Sequence, residues 1–359
     1  MKKKLAVLLS LTLAVSMLAV GCGKKDEAPI QTEAPTTQTE APAETEAPAA
    51  TEGALKTGLY VSTSLGKSTD AGEEDGLAQV DSAIFAVTVD GEGKVAGCVI
   101  DGAQTKINFS KDGKVVTDLA TVYQTKNELG ENYGMKSASG IGKDWNEQAA
   151  AFAAYCVGKT ADEIKGIALT AEGVVEDADL AASVTIHAGG FINGVVAAME
   201  NATEMGAKAG DKLGLGVNTT ISKSKDAADG EDGQAQAYSY YTATTVNAEG
   251  KITSCILDAS QGTVKFDATG KITTDLTAAV PTKNEIGENY GMKSASSIGK
   301  EWDEQAAAFA AYCLGKTADE VKGIALAEGV PADADLAANV TVHVGDFMTV
   351  ISKAVANAK

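Results

Sequence analysis

Residues 125–169 of this chain return at 282–326 with six substitutions in 45 positions, at an offset of 157 residues. Solenoid units run roughly 20–50 residues, so a period this long marks the tandem duplication of a whole domain. Whatever fold one copy adopts must be adopted twice, and any site within it occurs twice. Divergence is uneven: residues 58–116 and 214–272 share mainly turns and a few apolar positions, while the block is nearly unchanged. Such contrast points to function or tight packing holding the block; recent gene conversion is the other explanation.

The start of the chain reads as an export signal. Lys2, Lys3 and Lys4 precede an apolar run over residues 5–20, and Ala19-Val20-Gly21 precedes Cys22. This is the pattern of a bacterial lipoprotein signal, residues 1–21, with Cys22 as the lipidation site. The run of 16 residues is shorter than the ~20 a spanning helix needs. An ordinary secretory signal with an incidental Cys22 is the alternative. Two acyl chains on Cys22 suffice for stable anchoring, which predicts a protein held at the outer face of the cytoplasmic membrane, facing the extracellular side. Residues 22–53 repeat Thr-Glu-Ala-Pro at 32–35, 39–42 and 45–48 and contain no aromatic residue. That composition cannot bury enough apolar surface to fold; proline and like charges extend it to ~3.1 Å per residue at most.

The rest suits two domains of ordinary size, residues 54–205 and 206–359. The formal charge of −19 argues against nucleic acid as a partner. All 30 basic residues are lysine, so the chain lacks the bidentate fork of arginine for phosphates and carboxylates. Beyond Cys22, Cys98 matches Cys255 and Cys156 matches Cys313, which allows either one disulfide per domain in an exported protein or buried free thiols. No Cys-x-x-Cys or Cys/His cluster offers a metal site.

The pattern in each copy is α+β: an antiparallel sheet followed by helices. Val- and Ile-rich stretches at 82–90, 94–101, 104–109 and 114–117, with short Gly-containing breaks, predict hairpins, repeated at 240–247, 251–258, 263–267 and 271–274. Asp144-x-x-Glu147 is a capping box for a helix running to Val157 and stopped by Gly158. Trp145, Ala149, Phe152 and Cys156 form its core stripe. Thr160-x-x-Glu163 starts a short helix ending near Gly166. A strand is expected at 182–187 and a helix from about Phe191 to Asn201.

Hydrolytic chemistry has no support. The only histidines, His187 and His343, are one per domain; no nucleophile elbow and no Gly-rich phosphate loop accompanies them. What remains is Asp179-Leu-Ala-Ala-Ser-Val-Thr185-Ile-His187 and its twin Asp335-Leu-Ala-Ala-Asn-Val-Thr341-Val-His343. This segment resembles the target of the FAD:protein FMN transferase: Asp, two variable residues, Ser/Thr, Gly, Ala, then the acceptor Ser/Thr. Asp179 and Thr185, like Asp335 and Thr341, match the first and last positions, while Ala182/Ala338, Ser183/Asn339 and Val184/Val340 depart from the inner ones. With the lipoprotein start, the acidic tether and two blocks bearing Glu-Asn-Tyr-Gly-Met-Lys-Ser-Ala-Ser and Trp-x-Glu-Gln, the chain resembles the lipid-anchored extracellular electron-transfer flavoproteins of Gram-positive bacteria, the peptide pheromone-encoding lipoprotein A family.

The resemblance implies FMN joined by a phosphoester to Thr185 and Thr341 by a separate transferase. It also implies a redox carrier that is not itself an enzyme, passing electrons from a membrane NADH dehydrogenase and quinol pool to extracellular acceptors such as ferric iron. A covalent link keeps a flavin from being lost by diffusion outside the cell, and leaves one phosphate charge in a domain without arginine. Candidate flavin contacts in the block are Tyr133 and Tyr290 against the ring, and Met135 and Met292 as polarizable packing. Lys136 and Lys293 are candidates to favour the anionic reduced form. Ser137, Ser139, Ser294 and Ser296 are candidates for the ring edge or phosphate, and His187 and His343 for the phosphodiester. Asp179 and Asp335 either assist attachment or cap a turn. Two other classes fit an exported duplicated chain: a solute- or peptide-binding surface lipoprotein, and a structural surface repeat protein.

Overall fold

The computed structural model describes residues 53–359 except Asp229. The signal segment, Cys22 and the tether through residue 52 lie outside the described residues. In the first copy, β1 (Ala54–Ser64), β2 (Gly76–Val89) and β3 (Val95–Phe109) run as an antiparallel meander. Next come the helices α1 (Lys126–Leu129), α2 (Trp145–Cys156), α3 (Ala161–Lys165), α4 (Ala178–Ala181) and α5 (Gly189–Glu200). The strand β4 (Thr203–Lys208) returns to the free edge of β1, giving the order β3-β2-β1-β4. The second copy repeats the plan with β5 (Lys212–Thr220), β6 (Gly233–Val246) and β7 (Ile252–Phe266), ordered β5-β6-β7. Its helices are α6 (Lys283–Ile286), α7 (Trp302–Cys313), α8 (Ala318–Lys322), α9 (Ala334–Ala337) and α10 (Gly345–Asn357), with a two-residue hairpin, β8 (Leu326–Ala327) and β9 (Val330–Pro331), before α9. The class is α+β, two sheet-then-helix units in tandem. The expected division at 205/206 falls inside β4.

Several local expectations differ from the structure. Residues 94–101 and 104–109 are one strand, because Gly102 and Ala103 stay in the ladder opposite Ala83 and Ser82. Residues 114–117 and 271–274 add only single bridges, Phe109 to Val115 and Phe266 to Ile272. β1 escapes a pattern search because Gly58 interrupts its apolar alternation. That glycine is a point of close approach: a Cβ there would lie 1.9 Å from the Ala198 carbonyl oxygen of α5. Gly214 and Gly216 do the same in β5, at 1.8 Å from Ala354 O and 1.9 Å from Val350 O of α10. The strand expected at 182–187 is instead a turn that follows α4 and an irregular segment entering α5.

Both faces of each sheet are buried. One face of the first sheet packs Phe85, Val87 and Ile100 against Trp145, Phe152, Phe191 and Val195 of α2 and α5. The second sheet likewise meets Trp302, Phe309, Phe347 and Val350 of α7 and α10. The other faces meet each other, with Leu59, Val61 and Ile84 against Leu213, Leu215 and Tyr241, and Ile107 and Phe109 against Val264 and Phe266. The result is a helix–sheet–sheet–helix stack. Contacts between the copies are reciprocal: Ala71 N donates to Gly270 O (2.8 Å) and Ala227 N to Gly113 O (2.7 Å). Val115 N donates to Asp226 Oδ1 (2.8 Å), and Ile272 N to Asp70 Oδ1 (2.7 Å). Exchange of equivalent bonds is the signature of a two-fold, here internal to one chain. Phe109 and Phe266 stack near it, with ring centroids 4.2 Å apart. All four cysteines of the two copies are free thiols, and burial pushes Cys156 up to about 12.

Candidate functional site

The nearly invariant block builds a loop and the helix start it folds against. Asp144 and Glu147 form the expected capping box, with Asp144 N donating to Glu147 Oε2 at 2.8 Å. Asp144 also accepts from the backbone N–H of Met135 (2.9 Å) and Lys136 (3.0 Å), which draws the loop back onto the helix. Glu301 replaces it in the second copy and accepts from Met292 N (2.8 Å) and Lys293 N (2.9 Å). The inner face of α2 buries Trp145, Ala149, Phe152 and Cys156 as expected, and it also buries Gln148 completely.

A polar side chain in such a place must have its partners supplied, and those of Gln148 define the site. Its Nε2 donates to Ser139 Oγ (3.1 Å) and Lys143 O (3.2 Å). Its Oε1 accepts from Thr185 N (2.8 Å), Ile186 N (3.2 Å) and the Thr185 hydroxyl (3.2 Å). The backbone donors of residues 185 and 186 thus serve a glutamine, which is why this segment joins no sheet. Gln305 repeats every bond, with Nε2 to Ser296 Oγ and Lys300 O (both 3.2 Å). Its Oε1 accepts from Thr341 N (2.8 Å), Val342 N (3.2 Å) and the Thr341 hydroxyl (3.2 Å). A second tie crosses beside it: Lys143 Nζ donates to Ser183 Oγ (3.1 Å), and Lys300 Nζ to Asn339 Oδ1 (2.7 Å).

Among the residues expected to form the site, the glutamine therefore brings Ser139 to Thr185 and Ser296 to Thr341. Tyr133 and Met135 are half-buried and packed on the first core, as Tyr290 and Met292 are on the second. Lys136, Lys293, Ser137 and Ser294 are exposed; Lys136 pairs with Glu131 at 3.4 Å in solvent. His187 and His343 are exposed, beside Gly173 and Gly329. Asp179 and Asp335 are exposed within α4 and α9, and the capping role falls to Asp177 and Asp333, whose carboxylates accept from Leu180 N and Leu336 N at 2.9 Å. Sequence reasoning passed over Gln148, Gln305, Lys143 and Lys300. The available signal was a glutamine three residues after the stripe's tryptophan, at a core position, in both copies.

The surroundings of the two clusters differ. In the first copy Lys126 Nζ lies 4.7 Å from the ring centroids of both Tyr133 and Trp145. Its counterpart Lys283 is buried among Tyr290 (4.2 Å), Trp302 (4.6 Å) and Tyr238 (4.7 Å), and donates to the Tyr238 hydroxyl. Burial pushes its ammonium down to about 7, against the pull of Asp258. Tyr238 stacks on Tyr240 at 4.6 Å. Two clefts of about 490 and 460 Å³ also repeat across the two-fold, around Asp101 and Asp258, away from the threonines.

The donor set at each threonine fits one end of a flavin nucleotide: a half-buried hydroxyl for an ester, and, for a single phosphate charge, a lysine tied to the residue two positions earlier in the same loop. No protein-family model matches this chain, and no curated protein or solved structure does either. Fold and site together define the class: a duplicated α+β protein carrying one glutamine-held threonine in each copy.

Proposed function

We propose that this protein is a lipid-anchored extracellular electron carrier with FMN esterified through its phosphate to Thr185 and Thr341. Bound FMN supplies reversible uptake and release of electrons. The chain contributes the attachment hydroxyls, and the half-buried Tyr133, Met135, Tyr290 and Met292 of the same block offer apolar surface to the flavin. Cys22 is the anchor, a separate FAD:protein FMN transferase attaches the flavin, and a membrane NADH dehydrogenase and quinol pool is the donor. Extracellular acceptors such as ferric iron receive the electrons.

The observation that carries this reading is the identical hold on both threonines, kept while flanking Ser183 and Asn339 diverged. A structural repeat protein would need only the backbone bonds of each glutamine, whereas both copies also keep a threonine hydroxyl on it. A solute receptor would be expected to place one cleft between unlike lobes, and here two like sites stand apart. The intact mass of protein co-produced with the transferase tests it. Wild type should carry two flavin-phosphate increments, and Thr185→Ala and Thr341→Ala one each. Two increments retained in both single variants would reject the assignment.

A further inference from the structure

We infer that Gln148 and Gln305 are positioning residues that present the acceptor hydroxyls for flavin transfer, and that Lys143 and Lys300 are the cations that meet the incoming phosphate. The inference rests on the reading just given. In the transfer, the threonine Oγ bonds to the FMN-side phosphorus of FAD, the phosphoanhydride bond breaks, and AMP leaves with the electron pair. The hydroxyl proton passes to a base of the transferase. An amide cannot be that base, so the contribution of Gln148 is geometric. Its Oε1 grips the backbone of residues 185 and 186 at 2.8 and 3.2 Å and the hydroxyl at 3.2 Å. It therefore fixes where the oxygen stands, and its two backbone bonds hold the residue in place while the O–H rotates outward to that base.

The same arrangement suits the product. An ester oxygen has no proton to donate, yet Gln148 Oε1 keeps two backbone donors, so ester formation leaves no buried acceptor orphaned. The lysines carry an independent mark of selection for contact with that loop. Position 183 is serine and position 339 asparagine, and both accept from the lysine of their own copy, at 3.1 and 2.7 Å. The residue changed while the tie to the ammonium persisted. In a chain of net charge −19 without arginine, this places a cation at the one loop where an anion has to arrive. Lysine serves here as a point charge, the role it plays where bidentate geometry is not needed.

The test is the rate of flavin transfer from FAD to the purified flavin-free protein by the transferase, followed by intact mass and by peptide mapping of each threonine. Gln148→Met should slow loading of Thr185 on the order of tenfold to a hundredfold, as misplaced reacting atoms do. The loss should fall in kcat with the KM for the protein unchanged, and Thr341 should load at the wild-type rate. Lys143→Met, at a partly exposed side chain, should slow the same site, and Lys143→Arg should restore it; this pair decides the matter if Gln148→Met unfolds the protein. Wild-type loading of Thr185 in both Gln148→Met and Lys143→Met would overturn the inference. A wild-type protein that takes up no flavin at all would instead overturn the functional reading beneath it.

Discussion

Asp101 and Asp258 occupy equivalent places midway along β3 and β7, opposite Ile84 and Tyr241, and are 5% and 7% exposed. Asp101 Oδ1 accepts from Gly102 N (2.7 Å) and Asn127 N (3.0 Å), and Asp258 Oδ1 from Ala259 N (2.7 Å) and Asn284 N (3.0 Å). Burial outweighs these bonds and pushes both carboxyls up to about 6. The unfolded chain ionises them near their ordinary value, so the fold binds more protons between about pH 4 and 6 and loses stability as pH rises through that window. Asp258→Asn keeps an oxygen acceptor without the charge. It should stabilise by about 1–3 kcal/mol at pH 7.5 and by almost nothing near pH 4, read from urea unfolding at the two pH values. Lys283 works in the opposite sense along the scale. Its folded ammonium gives up its proton near 7, whereas in the unfolded chain it does so near 10.4. The unfolded chain therefore binds more protons across that interval, and stability should climb from pH 7 toward 10. In Lys283→Met that climb should flatten; an unchanged slope would mean the three rings and the Tyr238 hydroxyl hold the charged form.

At the scale of elements, glycine and glutamine explain most of what the sequence concealed. A residue with a side chain at Gly214 would meet the Ala354 carbonyl oxygen at 1.8 Å, so Gly214→Ala should cost about 1–3 kcal/mol or more, as overpacking does. Thermal unfolding measures it, and a neutral result would mean α10 can lift from β5. The helices were legible because their ends are local chemistry. Asp144 with Glu147 and Thr160 with Glu163 are reciprocal capping boxes, and α2 and α3 begin where these place them. β1 was not legible, since its glycine makes sense only once α5 lies across it. Residues 182–187 have the composition of a strand, and only the buried Oε1 of Gln148, 37 residues earlier in the chain, draws their backbone donors away. For the same reason Thr185 could be nominated from its own segment while its holder could not. Asp179 was conspicuous by spacing, yet the helix takes its cap from Asp177.

At the scale of the whole molecule, duplication was plain in the sequence and the way the copies join was not. Strands buried on both faces carry no clean alternation to say which side meets helices and which meets another sheet. The shared inter-sheet core should make the two copies one cooperative unit. Calorimetry should show a single transition, and Phe109→Ala, which empties half of the stacked pair near the two-fold, should lower it by the equivalent of about 3–5 kcal/mol. Two separated transitions would mean the copies unfold independently.

The order of the layers has a consequence for traffic. Each glutamine-held threonine lies in an outer helical layer, with two sheets about 10 Å apart between one and the other. The two proposed attachment sites thus face away from each other. On the proposed reading, a partner resting on one leaves its twin free, so a single chain can be served from one side while it serves from the other.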